Sequence, residues 1–185
     1  MTLLRQLAVL GATLALAGVT TFAQTPDTTL LEELTWTEVR DAIQAGTTTI
    51  IIPTAGTEQK GPHMVLGEHR FVVNHAAQLI AQQMGNALVA PVITHVPEGN
   101  LDPPSGHMRY PGTITLPNEY FMKIVEYSAR SLAVHGFTDI VLIGDSGGNQ
   151  RGMQQVAELL NAEWTEEPTR VHFVGDYYSN NGFRE

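Results

Sequence analysis

The chain predicts an α/β fold, a mainly parallel sheet sandwiched between helices. Two kinds of apolar segment alternate along it. Short β-branched or aliphatic runs, such as 48–52 and 139–143, take turns with longer stretches whose apolar residues recur every three or four positions, such as 70–84 and 118–135. Alternation of this kind builds parallel sheets through helical crossovers. The strand-like runs are also uninterrupted, as in strands covered on both faces. Polar loops rich in glycine follow these runs, where such sheets hold their ligands.

Each element has its own signal. Thr35-Trp36-Thr37-Glu38 is a capping box, so a short helix opens there and ends at Ala45-Gly46. Thr48 to Ile52 is the first strand. From Arg70 to Met84, apolar residues at 72, 73, 76, 79, 80 and 84 trace a helical stripe that Gly85-Asn86 stops. Leu88 to Val96 is strand-like, with Pro91 arguing for an edge position or a bend. Gly99 to Thr113 reads as a long irregular loop, a length usually tied to function or mobility. Asn118 to His135 is a second amphipathic helix, with Phe121, Ile124, Val125, Ser128 and Leu132 on one side. Asp139 to Ile143 is a third strand. Met153, Val156, Ala157, Leu160 and Trp164 mark a further helix, and Arg170 to Val174 a fourth strand.

The 185 residues, 43% hydrophobic, suit one well-buried domain, placed at 35–185 after a polar lead-in at 24–34 expected to be flexible. Arg5, the apolar Leu7 to Val19 and the small residues Thr21 and Ala23 give 1–23 the pattern of a cleaved signal peptide. The expectation is an exported protein, periplasmic or secreted, with no membrane span after cleavage. Cys is absent, which excludes thiolate ligands and nucleophiles. The formal charge of −9 becomes −10 once Arg5 leaves, and ten scattered basic residues offer no nucleic-acid footprint. The partner expected is a small molecule.

Gly56-Thr57-Glu58-Gln59-Lys60-Gly61-Pro62-His63 follows the first strand, and Glu68-His69 follows soon after. Hard oxygen and borderline nitrogen donors gathered past one strand are metal-site material. Two further segments accompany them: His107 through Tyr110-Pro111-Gly112-Thr113-Ile114, and Gly144-Asp145-Ser146-Gly147-Gly148-Asn149 after the third strand. Together the three resemble the creatininase (creatinine amidohydrolase) family over Thr48 to about Tyr178. That resemblance implies a three-layer α/β fold, an often oligomeric hydrolase of small amides, and two Zn or Mn ions held by Glu, His and Asp.

Glu58 falls on the family's glutamate ligand, Lys60 on a histidine of the second metal, His69 on the bridging aspartate, and Ser146 on the histidine after the third strand. An imidazole cannot bridge two metals as a carboxylate does, and an ammonium has no lone pair. These departures from the family's ligands leave at most one ion or none, with Glu58 and His69 holding it together with a third donor among Glu68, His63, His107 and Asp145. Each candidate has a plainer role. His63 and His107 suit hydrogen bonds to loop backbone, Glu68 suits a surface acid, and Lys60 suits an ion pair with Glu58. His75, His135 and His172 read as structural. The family also carries further segments toward its carboxyl end, so a missing terminal strand and helix is an expectation here.

Gly144-Asp145-Ser146-Gly147-Gly148 also fits the G-x-S-x-G template of a nucleophile elbow. Its triad would need a histidine after the serine, and only His172, inside a strand, is available. Three functions follow in order. The first is a creatininase-like amidohydrolase using a metal-activated water, with Glu58 and His69 as catalytic residues. The second is a decayed relative binding a small ligand or partner in the same cleft. The last is a serine hydrolase through Ser146.

Overall fold

The computed structural model describes residues 28–179; the signal-peptide reading of 1–23 lies outside them. The strands are β1 (Thr49–Thr54), β2 (Ala87–Val89), β3 (Asp139–Gly144) and β4 (Arg170–Phe173), in one parallel sheet of order β2-β1-β3-β4. The helices are α1 (Trp36–Gln44), α2 (Glu68–Met84), α3 (Asn118–Val134), α4 (Gln150–Glu163) and the short α5 (Asp176–Ser179). Among the described residues, no helix is long and apolar enough to cross a membrane.

The period of two in β1 divides the core. Ile50 and Ile52 point into a cluster with Phe121 and Val125 of α3 and Met153 and Leu160 of α4. Ile51 points the other way, onto Val73, Ala77 and Ala81 of α2. All three isoleucines are completely buried, so truncating any of them to alanine costs about 2–5 kcal/mol.

Two helical stripes sit rotated from their expected faces. In α2 the residues against the sheet are Val73, Ala77 and Ala81, while Leu79 and Met84 are exposed and Val72 turns toward the cavity described below. Small alanines let the helix lie close to the strands, and bulk rather than period misdirects the sequence reading. In α3 Phe121, Val125 and Ala129 are buried and Ile124 is exposed. The capping box of α1 forms as read: Thr35 accepts from Glu38 N, and Glu38 accepts from Thr35 N at 2.7 Å.

β2 is much shorter than the strand-like run suggests and lies at the edge of the sheet. Pro91 follows it and interrupts the ladder, which resumes at Ile93: Ile93 N donates to Pro53 O at 3.0 Å, and the Ile93 carbonyl accepts from Ala55 N at 2.9 Å. Within the described lead-in, Leu30 bridges Val89, and Val89 N donates to Thr29 O at 2.8 Å. At the opposite edge the Asn161 side chain takes the place of a neighbouring strand. It donates to Val171 O at 2.8 Å and accepts from Val171 N at 2.9 Å. Edge strands need this kind of guard against pairing with other chains.

Candidate active site

The carboxyl ends of β1 and β3 and the amino end of α2 open onto a cavity of about 960 Å³. This is the position at which parallel α/β sheets bind ligands. The 99–113 loop forms one wall. It carries a 3-10 turn at Gly106–Arg109, and its ends are tied: His107 N donates to Glu98 O at 2.9 Å, and Thr113 Oγ1 donates to His107 O at 2.9 Å. Tyr177 and Tyr178 of α5 form the facing wall.

Three donors converge on the floor. Glu58, Glu98 and His107 each place one ligand-type atom within 4.8 Å of the others. Glu98 is fixed from several sides. Its backbone N donates to Thr115 Oγ1 at 2.9 Å, and its carboxyl accepts from Ser146 Oγ at 3.3 Å. It also needs Gly56, because a Cβ there would collide with Glu98 Oε1. Gly148 makes similar room for the Pro97 carbonyl, seating the loop that carries Glu98.

His107 Nε2 stands 3.1 Å from Glu58 Oε2, yet that oxygen is buried without a hydrogen-bond partner. The two observations agree if the contact lies off the N–H axis. His107 Nδ1 lies 3.2 Å from the Gln59 carbonyl and 3.3 Å from the Gln59 amide nitrogen. With its proton on the carbonyl, Nδ1 leaves the Nε2 lone pair facing the acids, as a metal-ligating histidine requires. Accepting from the amide instead, Nδ1 would leave the proton on Nε2.

The electrostatics follow from two carboxyls sharing a dry site. Burial pushes the Glu98 carboxyl up to about 9, helped by its hydrogen bond to Glu58 and that group's charge. Burial would raise Glu58 too, but hydrogen bonds from His69 and Glu98 and the charge of His107 bring it down to about 2. One proton therefore serves both acids at neutral pH. His69 sits behind Glu58, with Nε2 2.9 Å from Glu58 Oε1 and Nδ1 3.2 Å from Asp145 Oδ2 and 3.4 Å from Glu68 Oε2. Burial would lower its pKa, but the bonds to Asp145 and Glu58 raise it to about 9.

Of the expected ligands, Glu58 and His107 join the converging set. His69, Glu68 and Asp145 line the same cavity one layer behind it, and His63 is exposed and not part of the lining. Lys60 pairs with Glu68 at 3.2 Å, not with Glu58 as its sequence neighbourhood suggests. His75, His135 and His172 are all exposed. Ser146 is buried in ordinary extended backbone, φ −147°, without the strain of a nucleophile elbow. His172 pairs with Asp139 at 2.9 Å, at the far end of β3 from Ser146, so it cannot act as its base. Glu98 is the residue that sequence reading misses. It follows the second strand-like run in a Pro-Glu-Gly setting, a context much like the one that singles out Glu58 after the first.

An oxygen-rich set with one imidazole suits a single divalent ion. The unpartnered Glu58 Oε2 and the facing Glu58–Glu98 carboxyls are the atoms such an ion would satisfy.

Fold and site together define a parallel α/β sandwich with a carboxylate–imidazole cluster at the carboxyl end of its sheet. The family model for creatininase, described as creatinine amidohydrolase, matches residues 32–184, and the chain belongs to that family. It is 29% identical over 111 residues to the creatinine amidohydrolase of Pseudomonas putida, covering 60% of this chain and 42% of that protein. It is 30% identical over 124 residues to the mycofactocin precursor peptide peptidase of Mycobacterium tuberculosis, covering 62% and 46%. The chain thus spans less than half the length of these relatives. In solved structures, a mutant creatininase of Zn-Zn type superposes with TM-score 0.72 at 23% identity, covering 82% of this chain and 59% of that one. A manganese creatininase does so with TM-score 0.72 at 24% identity, covering 81% and 59%.

Proposed function

We propose that this chain hydrolyses the C–N bond of a small amide or lactam with one divalent ion, zinc or manganese, held by Glu58, Glu98 and His107. The observation that carries this reading is the convergence of one ligand-type atom from each of these residues, all within 4.8 Å of one another, at a buried pair of carboxyls. Family membership supports the reaction class, and solved creatininases described as Zn-Zn type and Mn support the choice of metals. The ion would supply Lewis-acid polarisation of the scissile carbonyl and acidify a water.

The chain's own residues do the rest. Glu58 brings a carboxylate where a cation is needed, Glu98 adds a second once its proton is displaced, and Ser146 Oγ holds Glu98 in register at 3.3 Å. The tyrosines of α5 and Val72 and Ala76 of α2 give the cavity apolar walls against which a small amide can shed water. Gly147 and Gly148 bring backbone without side chains to its edge. The leader-like pattern of 1–23 supports export to the periplasm or beyond.

A second reading, ligand binding without turnover, draws on Lys60 and His69, which bring positive charge into the cavity where the family resemblance implies metal ligands. Turnover separates the two. The protein loaded with Mn²⁺ or Zn²⁺ is assayed on creatinine, other lactams, acyclic amides and short peptides, with and without chelator. We expect chelator-sensitive hydrolysis of at least one amide, lost in Glu58→Gln and His107→Ala. Stoichiometric metal with no turnover on any of them would leave the binding reading standing.

A further inference from the structure

We infer that His69 is not a metal ligand but a positioning residue, which turns Glu58 toward the cation from behind. The inference rests on the metal site proposed above and concerns how this chain holds it.

Both ring nitrogens of His69 are already engaged. Nε2 faces Glu58 Oε1 at 2.9 Å, and Nδ1 faces Asp145 Oδ2 at 3.2 Å, with Glu68 Oε2 at 3.4 Å. A ligating imidazole must keep one nitrogen for the ion. Here the ion would have to displace a carboxylate to reach either one. The atoms that converge on a common point are those of Glu58, Glu98 and His107, and His69 is outside that set.

The arrangement gives Glu58 two distinct oxygens. Oε1 is held by His69, while Oε2 is left for the cluster, 3.1 Å from His107 and without a hydrogen-bond partner. Asp145, at the end of β3, anchors the far side of the imidazole, so Asp145–His69–Glu58 is a chain of contacts joining β3, α2 and the loop after β1. His69 is the second residue of α2, where amide dipoles disfavour positive charge; the three surrounding carboxylates offset that. Partners of this kind fix the geometry of a ligating carboxylate, and their removal typically weakens metal binding by about 10–100-fold.

The test titrates the full chain with Mn²⁺ by calorimetry and counts coordinated imidazole nitrogens by electron spin-echo modulation. The expected result is one coordinated imidazole in wild type, lost in His107→Gln and kept in His69→Gln, with the His69→Gln dissociation constant raised about 10–100-fold. His69→Leu, which lacks a donor for Glu58, should bind more weakly still, and Asp145→Asn should weaken binding in the same direction. Two coordinated imidazoles in wild type would overturn the inference without any variant having to fold. So would unchanged affinity in both His69→Gln and Asp145→Asn. A wild type that takes up no Mn²⁺ would instead refute the metal site itself, and the inference with it.

Discussion

Glu98→Gln probes the paired carboxyls most directly. In the metal-free protein Glu98 keeps its proton up to about pH 9, whereas in the unfolded chain it ionises near the ordinary value of 4.5. Between those limits the folded state holds one proton that the unfolded state has released. Stability contributed by Glu98 is therefore complete below pH 4.5 and is lost as pH rises toward 9. For one proton the slope is about 1.4 kcal/mol per pH unit. From pH 6 to 8 the loss is about 3 kcal/mol, a large share of the roughly 5–15 kcal/mol that holds a domain folded. The glutamine side chain has the same shape and takes up no proton. Its amide can donate to Glu58, and its carbonyl can accept from Ser146 Oγ. His69, raised to about 9, adds a slope of the same sign above pH 6.5, but it does so in both proteins and cancels in the difference. Urea unfolding in chelator at pH 6, 7 and 8 gives the difference, wild type minus variant, which should fall by about 1.4 kcal/mol per unit. A difference that does not change with pH would show that no proton is shared between Glu58 and Glu98.

Other substitutions test neighbouring claims. Gly56→Ala places a methyl group on Glu98 Oε1, so it should destabilise by about 1–3 kcal/mol and weaken Mn²⁺ binding; thermal melts with calorimetric titration check both. Asn161→Ala strips Val171 of both its edge partners and should cost about 1–2 kcal/mol in urea unfolding while promoting self-association on a sizing column. Mn²⁺ affinity should fall as pH drops from 8 to 6, because the ion must displace the proton shared by Glu58 and Glu98; pH-dependent titration measures the slope. A fluorophosphonate probe should leave Ser146 unlabelled, since that hydroxyl is buried on Glu98 and His172 lies at the far end of β3.

The strands and helices were legible because β-branched runs, capping boxes and glycine stops are local signals. β1 and β3 and the four longer helices fall within a few residues of their expected bounds. Faces were less legible. In α2 the packed residues are the small ones, Ala77 and Ala81, which a search for bulky stripes passes over. The site was legible as far as its loops. Glu58, His107, Asp145 and His69 share one cavity, because the carboxyl ends of parallel strands lie on one side of the sheet. Which donors converge was not. That depends on the path of the 99–113 loop, which brings His107 back beside Glu58, and on Gly56 and Gly148, which admit Glu98 and its loop. Neither is a local property of sequence.

The central claim is that Glu58, Glu98 and His107 grip one divalent cation. Anomalous diffraction at the manganese edge, from crystals of the full chain grown with Mn²⁺, tests it without any variant. The expected result is one anomalous peak per chain, at bonding distance from Glu58 Oε2, a Glu98 oxygen and His107 Nε2. A peak bound instead to His69 and Asp145, or no anomalous peak at all, would contradict it.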